Sequence, residues 1–133
     1  WCAARHSVAY DRLPDWLIVF DVYDRSEHKF FSTARRDALA QRLGLAVVRT
    51  VSRGRTTLAD LTKRLRAEPS RYRAGPIEGF VIRKETPDWL LDRAKLVHPE
   101  FVQGIDEHWR RRRIEWNRLK HGATSEPAAG PVR

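Results

Sequence analysis

The stretch from residue 75 to residue 97 constrains this chain more than any other. It reads Gly75-Pro-Ile-Glu-Gly-Phe-Val-Ile-Arg83, a short polar connection, then Trp89-Leu-Leu-Asp-Arg-Ala-Lys-Leu-Val97. Ile77, Phe80, Val81 and Ile82 form an apolar run of strand formers bounded by Gly-Pro, the pattern of a largely buried strand. Thr86, Pro87 and Asp88 supply turn chemistry, so the second run can return beside the first. Side chains alternate across a strand, so Leu91, Arg93, Lys95 and Val97 share one face and Leu90, Asp92, Ala94 and Leu96 the other. Arg93 and Lys95 thus point the same way, from a strand expected to neighbour the one that carries Glu78. One carboxylate opposite two cations makes a poor core. It is either a solvated face with cross-strand ion pairs of little worth, or a place to hold a phosphate and its metal.

Charge narrows the choice of partner. Lys and Arg number 26 against 17 Asp and Glu, a formal net charge of +9 with a pI near 10.6. Such an excess attracts polyanions, nucleic acid above all and anionic membrane second. At 133 residues, 41% hydrophobic and 32% charged, the chain reads as one globular domain or part of a larger one. No apolar run approaches the ~20 residues of a membrane span, and no secretory leader is visible. Cys2 is the sole cysteine, which excludes a disulfide framework and a cysteine zinc site. A reducing cytoplasm and no membrane partner are the expectation. His6, His28, His98, His108 and His121 show no metal-ligand spacing, and Ser, Cys and His form no nucleophile set.

In chain order, residues 16–23 read as the clearest strand, continuous in β-branched and aromatic residues and hence buried on both faces. Residues 24–27 turn the chain and residues 28–32 answer as a hairpin partner. Ser32 or Thr33 caps a helix through Leu43 that turns Ala38, Leu39 and Leu43 inward, with Gly44 ending it. Residues 45–51 read as a further strand. Thr57 with Asp60 starts a second helix that buries Leu58, Leu61 and Leu65. Pro99 suits a first helical position, and Phe101, Ile105 and Trp109 recur every four residues, with Val102, Trp116 and Leu119 near the same face. The fold class expected is α+β, a mainly antiparallel sheet with packed helices and a helical C-terminus. From Gly122 the composition is that of a disordered tail or linker.

The wording Glu78-Gly-Phe-Val-Ile-Arg83 followed by Arg93-Ala-Lys-Leu-Val97 resembles motifs IV and V of the covalent nucleotidyltransferases, the superfamily of ATP-dependent RNA ligases, DNA ligases and capping enzymes. Phe20-Asp-Val-Tyr-Asp24 resembles the motif III region. The three occur in family order, and Ala94-Lys-Leu-Val-His-Pro-Glu-Phe-Val102 is similar to bacterial RNA-ligase-like proteins. The resemblance implies that Phe20 stacks on adenine, that Glu78 contacts a catalytic Mg²⁺ or Mn²⁺, and that Lys95 meets the α-phosphate of ATP. Arg93 stands where the family often has a lysine; it keeps the charge and changes the geometry. Gly79 leaves backbone free to approach the site without a side chain. The implied activity is an RNA ligase that uses ATP as AMP donor: a lysine attacks the α-phosphate, AMP passes to a 5′-phosphate RNA end, and a 3′-hydroxyl displaces it.

The family's nucleophile lies in a Lys-x-Asp-Gly motif upstream of motif III. The five lysines here are Lys29, Lys63, Lys84, Lys95 and Lys120, and none begins that motif. The chain also starts at Trp1 and holds no Met. The expectation is a C-terminal portion of an RNA ligase-type catalytic domain over residues 1–121, inactive alone, followed by a tail over residues 122–133. The run Arg110, Arg111, Arg112 and Arg113 is either a solvated helix face or a set of RNA-backbone contacts. The alternative function is a nucleic-acid-binding module without chemistry, built on that basic C-terminal helix.

Overall fold

The computed structural model describes residues 3–5, 8–102 and 115–120. In chain order the elements are β1 (Ile18–Val19), β2 (Tyr23–Asp24), β3 (Lys29–Phe30), α1 (Thr33–Arg42), β4 (Ala46–Val47), α2 (Leu58–Ala67), β5 (Gly79–Glu85), β6 (Leu90–Val97) and α3 (Pro99–Val102). The class is α+β, as expected. Strands β5 and β6 pair antiparallel, as do β2 and β3, while β1 and β4 pair in parallel.

The dominant ribbon is β5–β6. Its register sets Val81 opposite Lys95, Ile82 opposite Ala94 and Arg83 opposite Arg93, with an irregularity between Lys84 and Glu85. Period-two alternation therefore places Arg93 and Lys95 on one face, as the sequence requires. The ribbon is half-buried rather than largely buried: Val81 and Leu91 are both exposed. Thr86 closes the turn, its N–H donating to the Trp89 carbonyl at 2.9 Å.

Helices α1 and α2 start where their caps predict. The Ser32 hydroxyl accepts from the Arg35 N–H and the Thr57 hydroxyl from the Asp60 N–H, each satisfying an otherwise orphan helix donor. Gly44, at φ +67, ends the first helix in the left-handed region that glycine adopts without steric cost. The buried faces differ from expectation. In α1 the buried residues are Thr33, Arg36 and Ala40, while Leu43 and Ala38 are exposed. In α2 Leu65 is buried and Leu58 exposed.

The run at residues 16–23 is not one strand buried on both faces. It contributes β1 and β2 separately; Ile18 is buried, while Leu17, Phe20 and Tyr23 are exposed. A continuous apolar run reports strand propensity but not whether a second layer covers it, and here Phe20 and Asp21 of the run line a cleft. Residues 45–51 likewise supply only the two paired residues of β4.

Buried apolar residues among those described are Ala3, Leu13, Ile18, Ala40 and Leu65. Residues 115–120 are joined to the N-terminal segment by bridges rather than lying in a helix: Trp116 pairs with Ala4 and Leu119 with Leu13. Buried Asn117 secures this join, accepting from the Tyr10 N–H at 2.8 Å and donating to the Ala4 carbonyl at 3.3 Å. The expected helix is described over Pro99–Val102; Ile105, Trp109 and the residues from 122 onward lie outside the described residues. No helix among the described residues is long and apolar enough to cross a membrane.

Candidate functional site

A cleft of about 670 Å³ lies over one face of the β5–β6 ribbon. Phe20 from the segment after β1, Glu78 from the approach to β5, and Lys95 from β6 all line it. Arg93 does not. The structure therefore brings together three of the four expected site residues, drawn from stretches far apart in sequence.

Phe20 is 63% exposed, which removes the reading of it as an ordinary core residue. Its backbone is nonetheless fixed. Buried Arg36 of α1 donates from Nη1 to the Phe20 carbonyl at 2.8 Å, and pairs with Asp37 at 2.8 Å. A ring held at a cleft wall by its own main chain, with its face free, can receive a planar ligand.

Glu78 and Lys95 form the second part. Lys95 Nζ lies 3.7 Å from Glu78 Oε1, and the Tyr10 hydroxyl donates to Glu78 Oε2 at 3.0 Å. The Lys95 side chain is 60% exposed, so the pair is loose and open to a ligand. The expectation that Glu78 faces two cations is corrected here: only Lys95 reaches it. Arg93 is bonded instead to Asp21, because the register sets Arg93 opposite Arg83, and like charges so placed repel unless a carboxylate stands between them. Gly79 lines the cleft beside Glu78, and it has a second role. A Cβ there would collide with the Leu96 carbonyl oxygen of the facing strand, so the glycine serves the close approach of β6.

Asp21, Arg83, Glu85 and Thr33 form a third part that the sequence did not reveal. Arg83 bonds Asp21 and Glu85 through its guanidinium and donates from Nη2 to the Phe31 carbonyl at 2.8 Å. Glu85 also accepts from the Thr33 N–H at 3.0 Å and from the Thr33 hydroxyl at 2.8 Å. Burial alone would push the Glu85 carboxyl up, but Arg83 and the two Thr33 donors outweigh it and hold it below the ordinary carboxylate range. Burial likewise disfavours the Arg83 charge, and Glu85 with Asp21 more than restores it. The available signal was the pair of arginines at facing positions, which calls for a shared anion.

For a metal, the described residues hold no group of three or more His, Cys, Asp or Glu side chains arranged as ligands. Glu78 is a single oxygen ligand. That suits a hard cation such as Mg²⁺, which keeps several waters and is otherwise held by substrate phosphates. His98 stacks edge-on against Phe101, with ring centroids 5.9 Å apart. Arg110, Arg111, Arg112 and Arg113 lie outside the described residues.

A family model described as RNA ligase matches residues 1–97. No curated protein and no solved structure matches.

Proposed function

Because the chain belongs to the RNA ligase family, we propose that its cleft binds an adenylate and its phosphates for ATP-dependent joining of RNA ends. The observation that carries this reading is the meeting of an exposed aromatic, a cation and a carboxylate in one cleft: Phe20, Lys95 and Glu78. Phe20 stacks on the adenine ring. Lys95 donates to the α-phosphate, where a charge-assisted hydrogen bond strengthens as charge develops on the oxygens. Glu78 orients Lys95 and, through its free oxygen positions, holds a divalent Mg²⁺ or Mn²⁺. A metal bound there supplies charge neutralisation of the phosphates. Arg93 acts indirectly, through Asp21, on the segment that carries Phe20.

The sequence has no Lys-x-Asp-Gly, so the role proposed for these residues is binding and positioning of AMP rather than nucleophilic attack. Titration of the chain with ATP and AMP in Mg²⁺, followed by intrinsic tryptophan fluorescence, tests the reading. Saturable binding that Phe20→Leu and Lys95→Ala each weaken is expected, with no covalent label after denaturing electrophoresis in labelled ATP. Absence of nucleotide binding by the folded chain, or a covalent adduct on one of its lysines, would overturn it.

A further inference from the structure

The cleft carries more positive charge than its carboxylates balance. Asp21 and Glu85 are bonded to Arg83, Glu68 to Arg49 at 3.1 Å, and Glu78 faces Lys95 at 3.7 Å. Arg53, Arg64, Arg71 and Arg73 line the same cleft, and among the described residues none of them has an ion-pair partner. A concave surface with an unbalanced cluster of one sign focuses the field on an incoming ion of the other.

Arg73 is the informative member. Among the described residues its Nη1 is buried and has no hydrogen-bond acceptor, an arrangement that native proteins rarely tolerate without a ligand or solvent to satisfy it. The guanidinium lies 5.4 Å from the Phe101 ring centroid. Gly75, at φ +97, also leaves room for it, since a Cβ there would come within 3.2 Å of Arg73 Nη2. The loop that carries Arg71 and Arg73 is pinned. Pro69 bridges Pro76, the Ser70 N–H donates to the Gly75 carbonyl at 2.9 Å, and the Tyr72 carbonyl accepts from the Asp11 and Arg12 N–H groups. Tyr10 packs edge-on against Tyr72 at 6.1 Å and donates to Glu78, so the loop adjoins the Glu78 carboxylate.

We propose that Arg73, with Arg71 beside it on the loop, forms a second phosphate subsite of the cleft, separate from the one assigned to Lys95. A rigid fork of N–H donors, held in place before the ligand arrives, matches a phosphate oxyanion. The group bound belongs to the β,γ-phosphates of a nucleotide or to the backbone or 5′ end of an RNA strand; both present the same oxyanion. The inference stands on the charge balance and on Arg73, not on the adenylate reading, which AMP binding tests by itself.

The test is titration of the whole chain and its Arg73→Gln and Arg71→Gln variants with AMP, ATP, inorganic pyrophosphate and a 5′-phosphorylated oligoribonucleotide. AMP affinity should be unchanged, while at least one of the other ligands should weaken about tenfold or more on loss of charged hydrogen bonds. Weakening of ATP and pyrophosphate assigns the subsite to the nucleotide tail. Weakening of the oligonucleotide, with its log–log salt slope reduced by about 0.7 for each phosphate no longer neutralised, assigns it to RNA. Weakening of both supports one position used by each in turn. If Arg73→Gln fails to fold, Arg71→Gln, at an exposed position, carries the same comparison. Unchanged affinity for all of these ligands overturns the proposal, as does an equal loss for AMP.

Discussion

Arg83 and Arg93 face each other across β5 and β6, and a single carboxylate, Asp21, bonds both. Because Asp21 follows Phe20 in sequence, this bridge ties the exposed aromatic to the strand that carries Lys95. The Arg36 hydrogen bond to the Phe20 carbonyl holds the same segment from the helix side.

The two arginines should differ in worth. Asp21 and Arg83 are nearly buried, at 7% and 11% side-chain exposure, whereas Arg93 is 46% exposed. Arg83→Met leaves two carboxylates short of a buried partner and should cost roughly 3–5 kcal/mol. Arg93→Met should cost no more than about 1 kcal/mol. Urea unfolding of both variants measures this, and equal losses would show that Arg83 is not the centre of the network.

Acid should expose the same network. The folded Glu85 carboxyl is held below its ordinary value, so the unfolded chain binds more protons at that site. The stability it contributes is complete above about pH 4.3, the unfolded glutamate value, and is lost as pH falls through the folded value. Glu85→Gln should therefore be less stable than the parent at pH 7, and the gap should narrow as pH falls below the unfolded value and through the folded one. Asp24, also held low, chiefly by the Ser26 hydroxyl, is common to both proteins and cancels in the comparison. A gap that persists unchanged into acid would mean that ionised Glu85 is not what the network stabilises.

Exposure makes Phe20 a clean probe. Phe20→Ala should alter unfolding stability by no more than about 0.5 kcal/mol, since the ring covers little core. Nucleotide affinity should fall by roughly 1–3 kcal/mol if the ring stacks on a base. Calorimetric titration beside thermal unfolding separates the two effects; a stability loss without an affinity loss would make Phe20 a packing residue.

Gly79→Ala probes the strand pairing. The added methyl meets backbone rather than a movable side chain, with the Val97 Cα at 3.2 Å and the Leu96 carbonyl closer still. Overpacking of this kind should cost roughly 1–3 kcal/mol. An alanine variant with unchanged thermal stability would contradict the close approach of β5 and β6 at that point.

Features set by neighbours in sequence were legible without a structure. The Ser32 and Thr57 caps each act on an N–H three residues on, Gly44 ends α1 at the expected place, and the alternation of Arg93 with Lys95 follows from strand geometry alone. The pairing of the two runs was also readable, because a turn and two strand-forming segments leave few other arrangements. Partners separated by long stretches of chain were not. Arg83 finds Asp21 across 62 positions and Arg93 finds it across 72, while Glu78, the carboxylate that sequence paired with both cations, keeps only Lys95. Burial of Arg36, exposure of Phe20 and the bridging of residues 115–120 to the N-terminal segment were likewise decided in three dimensions. Strand and helix patterns specify which way a side chain points, but the partner it meets depends on which distant segment the fold brings to that face.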